Sequence, residues 1–311
     1  MTRAASALKV SAASLEFQNP ILLAAGTAAY GRELAGVIDL EMLGGIVTKA
    51  VSVEPRKGAS APRVAEFDGG MINAVGLANP GLDAVKRDDL AWLAANMRDA
   101  RVLVNVVGSG VEDFAAVVEG LDDLERVDGY ELNVSCPNVR AGGMEFGADR
   151  STLSALIARA RAATKRPLFV KLSPMLSDIT DTARAAVGAG ADGLTLVNTI
   201  PGLVIDVEAR RPALGFGSGG VSGPGLLPVG VLAVWKVSRA VRVPLIGVGG
   251  VKSGSDVVQY LLAGASLVGV GTAVMMDPRA PARILAELGT WCVGHDIDSV
   301  AEIVGALEWP S

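Results

Sequence analysis

The sequence predicts a closed (β/α)8 barrel, and three observations carry that expectation. Eight short apolar runs recur along the 311 residues, most of them followed by an amphipathic stretch. The composition is 50% hydrophobic and 20% charged, with 38 glycines and only 4% aromatics. That mixture suits parallel strands buried on both faces and loops whose backbone must approach something closely. The strand–G-x-G-x-x-G–helix opening of a doubly wound open sheet is missing, which sets aside the main competing architecture. The length fits one barrel domain spanning residues 1–311.

Taken in order, the strands are expected at Ile21–Ala24, Gly45–Thr48, Val102–Val106, Tyr130–Val134, Leu168–Leu172, Gly193–Val197, Pro244–Val248 and Leu267–Val270. Each is too short for a helix and ends in small or polar residues. Helical periodicity marks Asp83–Met97, Val111–Leu124, Arg150–Thr164, Asp178–Ala189, Pro228–Ala240 and Ser255–Ala263. Residues 7–18 read as a small amino-terminal hairpin closing the far end of the barrel. Long insertions at 51–80, 137–149 and 199–225 follow predicted strand ends, which places them on the carboxyl face. Glycines 142, 143 and 147 suggest that the second insertion closes over a ligand. Gly215, Gly217, Gly219 and Gly220 read as a flexible loop, and Trp291–Ser311 as a final helix against the barrel.

The formal charge of -5, with no basic run, argues against a nucleic-acid or anionic-membrane surface. No apolar stretch approaches the roughly 18–20 residues of a membrane span, and Met1–Val10 is a poor signal peptide. The two cysteines, Cys136 and Cys292, suggest no disulfide framework and no metal centre. A cytoplasmic protein is expected.

The strand ends carry the chemistry. They present Ala25-Gly26-Thr27, Lys49, Asn105, Asn133 with Ser135-Cys136-Pro137-Asn138, Lys171, Asn198-Thr199, Gly249-Gly250 and Gly271-Thr272. Any one of these is ordinary: a lone lysine is usually solvated, an asparagine usually a turn residue, a cysteine usually packing. In series they converge on one barrel mouth, which favours a large polar ligand. Glycines after the seventh and eighth strands let backbone N–H groups reach phosphate oxygens, and Thr272 adds a hydroxyl. Amides, two lysines and a phosphate cradle fit flavin mononucleotide, with Lys171 stabilising negative charge on the reduced ring. A Schiff-base aldolase would need one lysine and leaves the asparagines unexplained. The only histidine, His295, lies beyond the last strand. Cys136 is the better candidate for a base, since the pKa of a free thiol, about 8.5, can be lowered toward neutrality by neighbouring positive charge. Cys292 reads as packing.

Several segments together resemble dihydroorotate dehydrogenase. They are Thr48-Lys49-Ala50, Asn73-Ala74-Val75-Gly76-Leu77 with Asn79-Pro80-Gly81, Asn133 to Asn138, Val170 to Pro174, Ser222-Gly223-Pro224 and Gly247-Val248-Gly249-Gly250. The resemblance runs from about residue 8 to about residue 290. It implies a barrel that holds FMN at its mouth and oxidises dihydroorotate to orotate in pyrimidine synthesis. A base removes a proton from C5 while hydride leaves C6 for the flavin. Carried over by motif, Cys136 is that base. The resemblance assigns FMN contacts to Ala25, Gly26, Thr27, Lys49, Ala50, Asn105, Asn133 and Lys171. It adds Val197, Gly223, Gly249, Gly250, Gly271 and Thr272. Substrate contacts fall on Lys49, Asn73, Ala74, Val75, Gly76, Leu77, Asn133, Asn198 and Thr199. Asparagine suits them because it both donates and accepts.

Cysteine at position 136 resembles the class 1 enzymes. The run from Asn73 to Gly81 and the segment Glu54-Pro55-Arg56 resemble their B type, which passes electrons to NAD through a second subunit carrying FAD and an iron–sulfur cluster. This chain has neither a dinucleotide fingerprint nor four cysteines for a cluster, so NAD reduction would require that partner on a homodimer core. The alternatives are a fumarate-using A-type homodimer, a related FMN barrel acting on another pyrimidine or on dihydrouridine, and a non-catalytic barrel binding a phosphorylated ligand.

Overall fold

The computed structural model describes residues 7–135, 137–138 and 144–310. Eight parallel strands form a closed barrel: β1 (Ile21–Leu23), β2 (Gly45–Val47), β3 (Arg101–Val106), β4 (Gly129–Asn133), β5 (Leu168–Leu172), β6 (Gly193–Leu196), β7 (Leu245–Val248) and β8 (Leu267–Val270). They pair in chain order, and β8 closes against β1 through Val268 opposite Ile21. Barrel strands are covered by helices outside and packed side chains inside, so their residues are apolar without alternation. Every residue of β4, β5, β6 and β8 is buried accordingly.

The covering helices follow the predicted periodicity. They are α1 (Ala91–Asn96), continuing from Leu82–Ala84 and a π-helical segment Val85–Leu90, then α2 (Val111–Leu121), α3 (Arg150–Ala163), α4 (Ile179–Gly188), α5 (Leu227–Ser238) and α6 (Gly254–Ala263). A short α7 (Thr272–Met276) and a longer α8 (Ala280–Gly294) follow β8. Caps set several starts. Asp149 accepts from the Thr152 N–H at the head of α3, and Asp178 accepts from Thr180 and Asp181 at the head of α4. Ser253 and Asp256 form a reciprocal capping box on α6. The connection from β1 to β2 has no α-helix: turns lead to a 3-10 segment, Leu40–Met42, capped by Asp39.

The amino-terminal hairpin pairs Val10–Ala12 with Leu15–Phe17. Leu8, Val10, Ala12 and Phe17 are buried in the main core. Its second strand leads through residues 18–20 into the start of β1, and Arg101 at the start of β3 donates to the Glu16 carbonyl. The hairpin therefore lies at the amino end of the barrel.

Two expectations are corrected. The glycines at 219 and 220 are not in a flexible loop. Gly219–Ser222 is a strand, paired on one side with Ile200–Gly202 and on the other with Gly70–Asn73, which also pairs with Val64–Phe67. This four-stranded antiparallel sheet is built from two of the three long insertions, 51–80 and 199–225, and belongs to the carboxyl face. Glycine is required there by space. A Cβ on Gly220 would lie 2.1 Å from Thr199 Oγ1, and one on Gly219 would lie 2.4 Å from the Asn73 carbonyl oxygen. The second correction concerns the carboxyl terminus. Trp291 belongs to α8, which ends at Gly294, and the remainder is a 3-10 turn, Val300–Ile303, followed by an extended tail. Val300 and Ile303 are buried, and Trp309 stacks on Trp235 of α5 with ring centroids 3.9 Å apart.

Candidate active site

The polar groups at the barrel's carboxyl end are fixed by strand register. Asn105 on β3 is level with Glu131 on β4, and Lys171 on β5 is level with both Asn133 on β4 and Thr195 on β6. Residues two apart on a strand face the same way, so Glu131 and Asn133 share one face, with Asn133 nearer the mouth. Asn105 Nδ2 donates to Glu131 Oε1 at 2.7 Å, and Thr195 Oγ1 donates to Glu131 Oε2 at 2.7 Å. Since Thr195 is two strands from Glu131, that bond crosses the barrel interior. Lys171 Nζ stands 4.0 Å from Glu131 Oε1. Asn105 and Glu131 are each 1% exposed and Lys171 is 6% exposed, so the group is buried in the barrel interior.

The predicted residues around this centre are brought together to differing degrees. Thr48 Oγ1 accepts from the Asn105 N–H at 3.2 Å and donates to the Lys49 carbonyl at 2.9 Å, tying the end of β2 to β3. Lys49 is half-buried there, close enough to Asp89 to act on its carboxyl. Burial pushes the Asp89 carboxyl upward, opposed by Arg32 and, more weakly, by Lys49. The Ala50 carbonyl accepts from Tyr30 Oη at 3.1 Å. Leu77 packs beside Ala50 and Val107, which brings the 73–77 loop to the end of β2. That loop turns through Gly76 and Leu77, with φ of 69° and 57°. Within it Ala74 donates to Arg63 and the Val75 carbonyl accepts from Ala59. Asn79 anchors the loop from below, accepting from the Gly81 N–H at 2.9 Å and donating to Ser52 Oγ at 2.8 Å.

Asn73 Nδ2 donates to the Gly220 carbonyl at 3.2 Å, and Asn198 Nδ2 lies 3.5 Å from Asn133 Oδ1. Thr199 packs on Gly220. Val197, next after β6, is 1% exposed and donates its N–H to the Val248 carbonyl. Asn73, Asn133, Asn198 and Thr199 thus form the side of the mouth roofed by the four-stranded sheet.

Against the 66–70 hairpin of the same sheet lies a cavity of about 350 Å³ that includes Gly223, Gly250, Thr272, Lys252, Asp277 and Arg283 in its lining. Gly249 and Gly250 have φ of 128° and 74°, a conformation that side chains resist. A Cβ on Gly250 would also lie 2.5 Å from the Leu227 nitrogen. Tyr260, fully buried on α6, donates its hydroxyl to the Gly249 carbonyl at 2.8 Å. Burial raises that hydroxyl's pKa far above its ordinary value, so it remains a donor. Thr272 Oγ1 donates to Ser222 Oγ at 2.8 Å. A Cβ on Gly271 would sit 3.7 Å from Thr27 Cγ2, which makes the end of β8 a neighbour of the Ala25-Gly26-Thr27 turn. Thr27 Oγ1 closes that turn on the Ala24 carbonyl.

Cys136 lies outside the described residues, as do positions 139–143 of the insertion expected to close over the mouth. Its neighbour Ser135, two residues past the end of β4, points a hydroxyl at the Lys171 carbonyl, 3.5 Å away. His295 is exposed beyond α8, stacked on Trp291. Cys292 is 2% exposed, and burial raises its thiol's pKa. Sequence reasoning missed Glu131 and Ser222. A carboxylate inside an otherwise apolar strand, two residues before Asn133, was a signal available for the first. Ser222 had none beyond its motif.

Among the described residues no cluster of histidine, cysteine or carboxylate side chains could hold a metal, and no helix is long and apolar enough to cross a membrane. Residues 7–291 match the family model for dihydroorotate dehydrogenase. A protein of Pelobacter propionicus named dihydroorotate dehydrogenase B (NAD(+)), catalytic subunit, is 45% identical over 301 residues, covering 97% of this chain and 98% of its own. The protein of that name from Desulforudis audaxviator is 45% identical over 297 residues, with 96% of each chain covered. A crystal structure of dihydroorotate dehydrogenase from Eimeria tenella in complex with ferulenol superposes with a TM-score of 0.81. It covers 98% of this chain and 90% of its own at 24% identity, and bears on the fold alone. With a family match along nearly its whole length, the chain belongs to the dihydroorotate dehydrogenase family.

Proposed function

We propose that this chain is the catalytic subunit of a B-type dihydroorotate dehydrogenase, one FMN-binding barrel domain over residues 1–311 that oxidises (S)-dihydroorotate to orotate. The observation that carries the reading is the buried set Asn105, Asn133 and Lys171 beside a glycine-built cavity at the same barrel mouth. Both halves suit FMN. The cavity of about 350 Å³ brings Gly223, Gly250 and Thr272 together with Lys252 and Arg283, whose positive charge suits a phosphate and is set against the carboxylates of Glu66 and Asp277 in the same lining. The amides and ammonium at the strand ends match the donors and acceptors along a flavin ring. FMN, when bound, supplies the hydride acceptor.

The chain's own residues do the rest. Gly223, Gly249, Gly250, Gly271 and Thr272 hold the phosphate end. Ala25, Gly26, Thr27, Ala50, Asn105 and Val197 would hold the rest of a bound FMN, and Lys171 would stabilise negative charge on its reduced ring. Lys49, Asn73 to Leu77, Asn133, Asn198 and Thr199 hold the substrate's carboxylate and ring amides. Cys136 takes the proton from C5. Electrons leave through a partner subunit carrying FAD and an iron–sulfur cluster, docked on a homodimer core in the cytoplasm. The relatives named for NAD support that acceptor.

Anaerobic mixing of the FMN-loaded chain with dihydroorotate tests the reading. Prompt bleaching of the oxidised-flavin absorption is expected, with NAD reduced only when the partner subunit is added. Bound flavin that dihydroorotate leaves oxidised would move the substrate to another compound. A chain that takes up no FMN would end the proposal.

A further inference from the structure

Glu131 is a carboxylate that the catalytic reading does not use, yet it is 1% exposed inside the barrel. Burying an ionised carboxylate is costly unless it is paired and hydrogen-bonded. Here the compensation comes entirely from groups at the candidate active site and its floor. Asn105 Nδ2 and Thr195 Oγ1 each donate at 2.7 Å, one to each carboxylate oxygen. Lys171 Nζ stands 4.0 Å from Oε1. That separation is too long for a hydrogen bond but short enough for strong attraction in a dry interior. Among the described residues the ammonium is thus held by attraction to Glu131 and not by a hydrogen bond to it, and β5 places Lys171 level with Asn133, two residues nearer the mouth than the level of Glu131.

We propose that Glu131 is a positioning residue: it fixes the Asn105 amide and the Lys171 ammonium toward the flavin site and tempers the positive charge that Lys171 presents there. The inference rests on the FMN reading given above. Its consequence is electrostatic. Lys171 favours the reduced, more negative cofactor, and Glu131 behind it opposes part of that preference. Removing the carboxylate's charge while keeping its shape should leave the lysine's field less compensated.

The test is Glu131→Gln in the full-length, FMN-loaded chain, with the flavin midpoint potential measured by dye-coupled reduction at about pH 7. The affinity for oxidised FMN is measured alongside by fluorescence titration. The replacement amide can donate to Asn105 Oδ1 or to the Thr195 hydroxyl, so the network can be rebuilt without charge. The preference for reduced over oxidised FMN should rise about tenfold, which for a two-electron couple is about 30 mV. A second variant, Thr195→Val, removes one donor from the carboxylate and leaves its charge to act more fully on Lys171. The potential should then move the other way. An unchanged or lowered potential in Glu131→Gln overturns the proposal. If that variant does not fold, an unchanged or raised potential in Thr195→Val overturns it. Failure of the wild-type chain to bind FMN would instead defeat the functional reading, so the two failures are told apart.

Discussion

The link between Tyr260 and Gly249 gives a quantitative test of how the glycine turn is held. Tyr260 is fully buried in a slot where Gly247 and Gly230 leave space. A Cβ on Gly247 would lie 2.3 Å from Tyr260 Cδ1, and one on Gly230 would lie 2.0 Å from the hydroxyl. Its single role at the site is the 2.8 Å bond to the Gly249 carbonyl. Tyr260→Phe keeps the ring and deletes the donor, leaving a carbonyl without that partner beside a backbone held at positive φ. An unsatisfied buried polar group costs about 1–3 kcal/mol. If the turn relaxes to recover a partner, up to that amount is lost from cofactor binding, and about 1.4 kcal/mol corresponds to a tenfold weaker affinity. The expected result is a loss of about 1–3 kcal/mol in urea unfolding, together with FMN affinity reduced by about tenfold in a fluorescence titration. Tyr130→Phe is the control. Tyr130 is equally buried, and its hydroxyl lies 3.2 Å from Asp122 Oδ1 and 3.4 Å from the Val118 carbonyl, with neither contact at the mouth. It should lose stability and keep its FMN affinity. The reasoning is refuted if Tyr260→Phe binds FMN as wild type does, or if Tyr130→Phe loses as much affinity.

Three further outcomes are expected. Gly220→Ala would place a Cβ 2.1 Å from Thr199 Oγ1 and 2.7 Å from Thr199 Cβ. Overpacking of that kind costs about 1–3 kcal/mol, so KM for dihydroorotate should rise as Thr199 is displaced; steady-state kinetics and urea unfolding that both match wild type would count against the sheet's role as a roof. Cys136→Ala should retain FMN but lower kcat by about 10²–10⁴, the usual range for a positioned base, and unimpaired turnover would remove Cys136 from the mechanism. Acid should weaken the fold through three carboxylates whose pKa values are depressed. Hydrogen bonds from Thr152 and Ser151 hold Asp149 well below the usual carboxylate range; the Asp178 carboxyl is lowered by Thr180 and the Asp181 N–H, and that of Glu287 by the Gly254 N–H and Arg283. A depressed folded pKa means stability that is complete above the unfolded value of about 4 and is lost as pH falls through the folded one. Urea midpoints should therefore be level between about pH 7 and 5 and fall below about pH 4, and Asp149→Asn combined with Asp178→Asn should flatten that fall.

The eight barrel strands were legible because each is buried on both faces, so apolar runs such as Val102–Val106 and Leu168–Leu172 announce themselves without reference to any neighbour. The helices between them were legible for a similar local reason, the 3.6-residue period of an outward polar face. Polar residues at the strand ends followed once the barrel was assumed, since closure brings every carboxyl end to one mouth. What the sequence could not decide was which distant segments pair. Asn73 and Gly220 are 147 residues apart, and nothing in either glycine-rich stretch marks it as a strand, because that role comes from the ladder formed with the other. The missing helix after β1 belongs to the same class: residues 24–39 turn back on themselves by local bonds such as Gly31 to Ala28 and Leu34 to Gly31, with no sustained apolar period. Tyr260 depended wholly on tertiary structure, and Glu131, though marked as a carboxylate in an apolar strand, acquires its partners only there. Their importance arises when the barrel places a carboxylate within reach of Asn105, Thr195 and Lys171, and a hydroxyl under the Gly249 carbonyl. Local pattern determines where apolar surface must be buried, whereas the partners of a buried polar atom are set by the closure of the whole barrel.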